Sequence, residues 1–204
     1  MEFKDVVMSR YAAKSFDGRN IPEEKFGELI EIIRHAPSSF NIQPWVLYVV
    51  RDKSMKERLQ KAAWDQPQIM SSSHLIVFCI NTDVLGNIKR LEDLMKRLGA
   101  GVDKMKNVFD MMRAFVQGMS EEQVKCWAGR QVYLALANAV NGAKSLGFDS
   151  CPMEGFDANE FSRILKIPRH LIPIVLCPVG YANDSPKPKV RFDSKDILVE
   201  QNFT

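Results

Sequence analysis

A long helical segment at residues 120–146 constrains the fold more than any other feature of this sequence. Ser120 and Gln123 form a capping-box pattern at its start, and Gly147 is suited to ending it. Between residues 132 and 140 the segment is apolar on nearly every side. Such a helix must be covered over most of its surface, either within one domain or by a second subunit.

Strand-like and helical stretches alternate around this segment. β-branched and aromatic residues predict strands at residues 45–50, 75–80 and 172–181, with a short strand-like turn at 148–153. Apolar residues at helical spacing predict the other helices, at residues 3–10, 22–37, 54–64, 85–98, 104–115 and 157–165. This alternation predicts a layered α/β or α+β arrangement, and the length of 204 residues indicates a single domain over residues 1–204.

Three local details of these elements are expected to follow. Ser54 is expected to cap the helix at 54–64 and Lys56 to lie on its solvent side. Residues 85–119 hold two Met-rich amphipathic segments, which are expected to form a helical excursion, or lid, rather than core. Residues 184–204 form a tail that is too polar for core, and we expect it to wrap another surface.

Composition excludes several classes of function. The net charge is only +3 and no long basic run is present, so a nucleic-acid partner is not expected. Four cysteines show no paired spacing and three histidines lie far apart, which argues against a metal site and for reduced structural thiols. No signal peptide or membrane span is recognisable, so a soluble cytoplasmic protein is expected.

Four short stretches are chemically unusual. Arg10 and Lys14 place two positive charges at the end of the first helix. Residues 38–45 concentrate hydroxyls, carboxamides and aromatics in one helix-to-strand turn, and residues 152–156 leave main-chain N–H groups free before a helix. Residues 187–191 form a proline-stiffened basic segment.

In this order the four stretches resemble the nitroreductase family of FMN enzymes, over nearly the whole chain. The resemblance is carried by residues 10–16, 36–45, 131–134, 152–157 and 189–191. It implies a nitroreductase-like fold, with a central mixed sheet flanked by helices and a C-terminal tail exchanged across a homodimer. It also implies FMN as cofactor.

The resemblance assigns the FMN phosphate to Arg10, Lys189 and Arg191, because a phosphate favours charge-assisted donors. Lys14 is expected near the N1 and O2 atoms of the flavin, where a fixed positive charge stabilises the reduced ring. Tyr11 and Ala12 are expected to complete the contacts of this loop.

Further contacts are implied on both sides of the flavin ring. Main-chain N–H groups around Glu154 and Gly155 are expected to face flavin N5, with Pro152 and Met153 beside them. From the partner subunit, the turn of Pro37, Ser38, Ser39 and Asn41 is expected to reach the flavin, with Gln131 from the same side.

Two positions depart from the family pattern. Ala12 stands where the family commonly has a serine, and Asp65 lies near an expected asparagine. Gln66 or Gln68 is close enough to replace that asparagine, and the sequence does not choose between them. It also does not decide whether Phe109 or Phe115 is the aromatic of the lid that faces the substrate.

The implied activity is the transfer of hydride from NAD(P)H, through flavin N5, to a nitroaromatic, a quinone or a similar acceptor. No catalytic side chain is required, which agrees with the lack of a clustered His or Cys pair. Two alternatives remain open. One is a flavoenzyme of the same fold with dehalogenating or flavin-fragmenting chemistry, and the other is a non-catalytic FMN-binding protein.

Overall fold

The computed structural model describes residues 1–201, and within them every side chain except those of residues 103 and 104. The last residues of the expected tail, 202–204, therefore lie outside the described residues.

A four-stranded sheet forms the centre of the fold. Its strands are β1 (Trp45–Val50), β2 (His74–Asn81), β3 (Asp149–Ser150) and β4 (Leu171–Gly180), in the spatial order β1-β2-β4-β3. Each neighbouring pair is antiparallel, and a parallel element enters through an isolated bridge between Ala12 and Ser150. The predicted strands and the α+β class are thus confirmed.

Helices cover both faces of this sheet. They are α1 (Phe3–Ser9), α2 (Glu23–Arg34), α3 (Lys53–Lys61), α4 (Pro67–Ser71), α5 (Val84–Arg97), α6 (Lys106–Gln117), α7 (Glu121–Ser145), α8 (Ala158–Leu165) and α9 (Ser194–Ile197). Short 3-10 turns occupy Ser39–Asn41 and Val102–Met105. The short helices α4 and α9 were not expected from the sequence.

The central strand β2 separates two hydrophobic cores. Ile76, Phe78 and Ile80 face a core shared with α2, α5, α6 and α7. Leu75, Val77 and Cys79 face the other core, shared with α3, α4 and α8. This alternation along a fully buried strand explains why its sequence is apolar at nearly every position.

Helix α7 behaves as its sequence predicts. Gln123 N donates to Ser120 Oγ at 3.3 Å, and Ser120 N donates to Gln123 Oε1 at 2.8 Å, so the capping box is formed. Gly147 follows the helix with a φ of +87°, the left-handed conformation of a helix-ending glycine. At Gly142 a Cβ atom would come within 2.9 Å of Ile32, so α2 packs unusually close to α7 here.

Two expectations for α3 are wrong. Asp52, not Ser54, caps the helix, since its side chain accepts a hydrogen bond from Met55 N at 2.8 Å. Lys56 is not on the solvent side: it is buried, and its Nζ donates to Ser72 O at 2.6 Å. The cause is α4, which brings its last carbonyl groups against α3.

The excursion formed by α5 and α6 has an inner face that belongs to the core. Ile88, Phe109 and Met112 are buried and pack in the cluster shared with α7. Leu94, Met111 and Phe115 stay exposed on the outer surface. Among the described residues, no helix has the length and apolar character that crossing a membrane requires.

Candidate active site

The turn between α2 and β1 is conformationally strained. Phe40, Asn41 and Gln43 adopt positive φ values of 54°, 56° and 51° without being glycine. Each such residue costs about 1–3 kcal/mol and persists only where its surroundings impose it. Strain concentrated in this way is typical of binding and catalytic turns.

Hydrogen bonds from two directions hold the turn in place. Within it, Gln43 N donates to Ser38 Oγ at 3.0 Å. From α7, Gln131 Oε1 accepts a hydrogen bond from Ser39 N at 2.9 Å, and its Nε2 donates to Trp127 O at 3.3 Å. The structure thus brings the predicted residues Ser38, Ser39 and Gln131 together, and it assigns Gln131 the role of fixing the turn.

Phe115 is the lid aromatic that reaches this turn. Its ring makes edge-to-face contacts with Phe40, with centroids 5.8 Å apart, and with Trp127, at 6.2 Å. Phe109 is only 1% exposed and points into the core. Of the two aromatics that the sequence left open, Phe115 is therefore the exposed one.

Positive charges lie near Lys189 in the C-terminal tail. The pKa of Lys189 is lowered, first by partial desolvation and then by the positive charges of Arg10, Arg191 and Lys144. Arg10, Arg191 and Lys144 therefore lie close enough to affect Lys189, although Lys144 is paired with Asp149 at 3.0 Å. Such a cluster is unfavourable by itself and becomes favourable when a polyanion binds.

Lys189 is also tied to the protein. Its Nζ donates to Val7 O at 2.9 Å and to Met8 O at 2.7 Å, the last carbonyl groups of α1. This contact complements the negative end of the helix dipole and anchors the tail beside Arg10. One ammonium hydrogen remains for a ligand.

The loop that carries Tyr11 and Lys14 is clamped along the sheet edge. Tyr11 Oη donates to Asp184 O at 2.7 Å, and Lys14 N donates to Asp184 Oδ2 at 3.0 Å. Ala12 bridges Ser150, and Ala13 N donates to Ser150 O at 3.1 Å. Burial, followed by the charge of Asp184, raises the pKa of Tyr11 to about 12. Asp184 is a positioning residue that no local sequence signal identified.

The exposed side chain of Lys14 points toward the second predicted loop. Its Nζ lies 3.6 Å from Cys151 Sγ, the residue that precedes Pro152. Burial raises the pKa of this thiol, although Lys14 partly offsets the effect. Cys151 therefore remains a neutral neighbour, and the charge of Lys14 is not cancelled by it.

Residues 152–155 form the loop that follows Cys151 in the candidate site. The Glu154 carboxylate accepts a short hydrogen bond from Tyr133 on α7. Burial, followed by this bond, raises the pKa of Tyr133 above its usual range. A side chain at Gly155 would place its Cβ 2.8 Å from the Trp64 ring, so the close approach of Trp64 requires glycine there.

The two candidate glutamines are engaged within the protein. Gln66 Nε2 donates to Gly155 O at 2.8 Å and to Ala63 O at 3.1 Å. Gln68 is buried, and its Nε2 donates to Gln66 Oε1 at 3.2 Å. A flavin contact by either one stays a prediction. What the geometry adds is that both glutamines support the 152–155 loop.

Within one chain, the predicted residues fall into two separate sets. A cleft of about 500 Å³ lies between α7 and the 152–154 loop, and it is lined by Arg10, Tyr133, Leu136, Ala137, Val140, Pro152, Met153, Glu154 and Val175. Asn41 of the strained turn does not line this cleft; it lines a different one, beside α5. Arg10 and Asn41 thus line different clefts of one chain.

The chain was compared with known proteins. Residues 7–181 match the family described as the nitroreductase family. A protein of Staphylococcus haemolyticus, named as a candidate NAD(P)H nitroreductase, is 30% identical, and the alignment covers 93% of this chain and 92% of that protein.

Solved structures agree in fold. The crystal structure of a candidate nitroreductase from Bacillus subtilis is 27% identical, with a TM-score of 0.89 and 98% of both chains covered. A candidate nitroreductase from Exiguobacterium sibiricum, solved in complex with FMN, is 21% identical, with a TM-score of 0.91 and 98% of both chains covered. Since the family match spans most of the sequence, this chain belongs to the nitroreductase family.

Proposed function

We propose that this protein is an FMN-dependent oxidoreductase that transfers electrons from NAD(P)H to a small acceptor such as a nitroaromatic or a quinone. Family membership supports an oxidoreductase, and relatives named as NAD(P)H nitroreductases support the electron donor. The observation that carries the proposal is that Arg10 and Arg191 lie close enough to Lys189 to lower its pKa, and that Lys189 is anchored beside Arg10 by the carbonyl groups of Val7 and Met8, a set of cations suited to a dianionic ligand.

The residues present fit FMN. Arg10, Lys189 and Arg191 would hold its phosphate by charge-assisted hydrogen bonds. Bound there, FMN would supply the chemistry that no side chain of this site can perform, the transfer of electron pairs between two substrates.

The other residues of the site orient and tune rather than react. Lys14, held at its main chain by Asp184, would present a fixed positive charge to the cofactor ring. The Glu154 carboxylate is occupied by Tyr133, so it orders the 152–155 loop. Met153 N donates to Leu176 O at 2.9 Å, so the main-chain N–H groups of Glu154 and Gly155 are the ones that would face the cofactor. Ala12 contributes through its main chain, along the bridge to Ser150, and supplies no hydroxyl to the phosphate.

A homodimer would complete the site. Pro37, Ser38, Ser39 and Asn41 lie outside the cleft of Arg10 and Glu154, so they would reach the cofactor from a second subunit. Two features support such an exchange. The tail carries strongly exposed apolar side chains, including Phe192 at 83% and Val199 at 82%. Strand β1 lies at an edge of the sheet, and its free side is open to an added strand.

FMN retention tests the phosphate assignment. Replacing Arg191 or Arg10 by glutamine is expected to weaken FMN binding by about ten- to a hundredfold, because each removes a charge-assisted contact of about 1.5–3 kcal/mol. The measurement is the flavin absorbance that stays with the protein after extensive dialysis, together with the Kd of added FMN.

Lys187→Gln in the same tail and Lys4→Gln on α1 are matched controls, since both are exposed and lie outside the cation cluster. Both are expected to retain FMN normally. FMN affinity unchanged by the arginine substitutions would refute the phosphate assignment. A purified protein that neither carries nor takes up FMN would refute the proposed function as a whole.

The activity itself is tested by anaerobic reduction of the FMN-loaded protein, followed by addition of an acceptor. Bleaching of the flavin absorbance by NADH or NADPH, and its return with a nitroaromatic or a quinone, is the expected result. Flavin that is never reduced by either nucleotide would favour the non-catalytic FMN-binding alternative. Reduction without transfer to these acceptors would favour a different chemistry on the same fold.

The proposed tail exchange predicts the state of assembly. The native protein is expected to elute at twice its chain mass of 23.2 kDa. Introducing lysine at both Leu198 and Val199 is expected to shift light-scattering mass toward the monomer and to reduce FMN content, because the partner's turn would be lost. The control is Leu98→Lys, another exposed apolar position at the end of α5. A variant at 198 and 199 that remains fully dimeric would exclude the tail from the interface.

A further inference from the structure

A second cleft, of about 470 Å³, lies between the strained turn and helix α5. It is lined by Asn41, Ile42, Gln43, Trp45, Asn87, Arg90, Leu91, Asp93, Leu94 and Arg97. Apolar side chains, carboxamides and guanidinium groups therefore share one surface. No role for this cleft follows from the phosphate cluster or from the 152–155 loop.

The walls of this cleft are fastened to each other. Asn87 on α5 donates through Nδ2 to Gln43 O at 3.1 Å and to Ile42 O at 3.3 Å. Asn81 at the end of β2 donates in turn to Asn87 Oδ1 at 3.0 Å. Asn87 is buried, so these hydrogen bonds fix the distance between turn and helix. The cleft exists before any ligand binds.

Two arginines give the cleft a positive character. Arg90 and Arg97 are seven residues apart on α5, which places them two turns apart on one face, about 10 Å along the helix axis. Among the side chains that the structure describes, neither guanidinium pairs with a carboxylate. Glu92 on the same helix is engaged by Lys96 and Arg113, and Asp93 is the one acidic side chain of the cleft lining.

We propose that this cleft binds the phosphate-bearing adenosine end of the nicotinamide nucleotide, and that Arg90 and Arg97 recognise the 2′-phosphate that distinguishes NADPH from NADH. The inference rests on the proposed function. Asn41 connects this cleft with the proposed cofactor site, because it belongs both to the turn that would approach the cofactor and to the cleft lining. A nucleotide whose nicotinamide lies on the flavin extends past Asn41 into this cleft.

The lining suits that ligand. Guanidinium groups offer paired N–H donors that match phosphate oxygens. Trp45, Leu91 and Leu94 supply an apolar surface for the adenosine, and the Gln43 carboxamide adds hydrogen-bonding capacity at the rim. Asp93 lowers the net positive charge of the cleft.

The test is the ratio of KM values for NADPH and NADH in the FMN-loaded enzyme. Arg90→Gln and Arg97→Gln are each expected to raise KM for NADPH about tenfold, the loss typical of a charge-assisted hydrogen bond. KM for NADH is expected to rise by less than about threefold. Lys89→Gln, an exposed position of the same helix outside the cleft, is the matched control and is expected to leave the ratio unchanged.

Direct binding provides a readout that does not depend on turnover. By calorimetry, adenosine 2′,5′-bisphosphate is expected to bind at least tenfold more tightly than adenosine 5′-monophosphate, and the double arginine substitution should remove that difference. Equal affinity for the two probes would overturn the inference, whether or not the enzyme is active.

If the substitutions instead raise KM for a carboxylated nitroaromatic and not for its uncharged analogue, the arginines serve the acceptor, and the nucleotide assignment is wrong. Loss of all flavin reduction with normal probe binding would count against the proposed function alone.

Discussion

Replacing Phe109 by alanine is expected to lower the free energy of unfolding by about 4 kcal/mol, the cost of emptying a large buried aromatic site. Phe109 is 1% exposed and packs in the core shared by α5, α6 and α7. Chemical denaturation of the FMN-free protein, followed by tryptophan fluorescence, measures the change without a contribution from cofactor binding.

Phe115→Ala is the matched comparison on the same helix. Phe115 is 42% exposed and contacts Phe40 and Trp127 edge to face, so its loss is expected to cost about 1 kcal/mol of stability. Its main effect should be a changed KM for aromatic acceptors, since its ring lies beside the strained turn. Equal destabilisation by the two substitutions would show that the excursion has no distinct inner and outer faces.

Acidification from pH 7 to pH 4 is expected to remove up to about 3 kcal/mol of stability through His74 alone. Burial, followed by the positive charge of Arg51, lowers the pKa of His74 to about 4, with Lys56 acting in the same direction and Glu23 opposing it. The ring stacks on Phe26 with centroids 4.0 Å apart, and its Nε2 has no hydrogen-bond partner among the described residues. A proton on this ring would therefore be a buried positive charge that Glu23 offsets only in part.

The direction of this change in stability with pH follows from how many protons the folded and unfolded chains bind. Between pH 6.5 and pH 4 the unfolded chain carries the His74 proton and the folded chain does not, so stability is complete above pH 6.5 and declines as the pH falls toward 4. His74→Gln is expected to flatten the decline in this window, whatever its effect on stability at pH 7. His170→Gln removes an exposed histidine and should leave the slope unchanged. The same slope in the His74 variant and the parent protein would rule His74 out as its source.

Much of the fold was predictable because its signals are local. The capping box at Ser120, the helix-ending Gly147 and the apolar run of β2 are each determined by residues a few positions apart. The α3 cap shows the limit of such signals. Asp52 and Ser54 are both good capping residues, and the choice between them depends on where the chain enters the helix.

The candidate site residues were recognisable from the sequence, but their arrangement was not. The motifs around Arg10, Asn41, Glu154 and Arg191 were recognisable because each is a contiguous stretch. That Arg10 and Glu154 line one cleft and Asn41 another was not predictable, because it depends on contacts between segments far apart in the chain. The positioning contacts of Asp184 with Tyr11, and of Tyr133 with Glu154, are of the same kind.

By itself, the sequence determined the order of the strands and of the longer helices, the long apolar helix, the family and the residues proposed to hold FMN. Only the tertiary structure decided which side of each element is inside. It buried Lys56 against the carbonyl groups of α4, turned Phe109 into the core and Phe115 outward, and engaged Gln66 and Gln68 in the 152–155 loop. The physical reason is that periodicity and capping report interactions within one or two helical turns, whereas burial and polar pairing depend on neighbours that only folding brings into contact. The long helix at residues 120–146 shows both parts: its sequence required a cover, and the structure shows that α2 supplies one side of it while Tyr133 and Leu134 stay exposed.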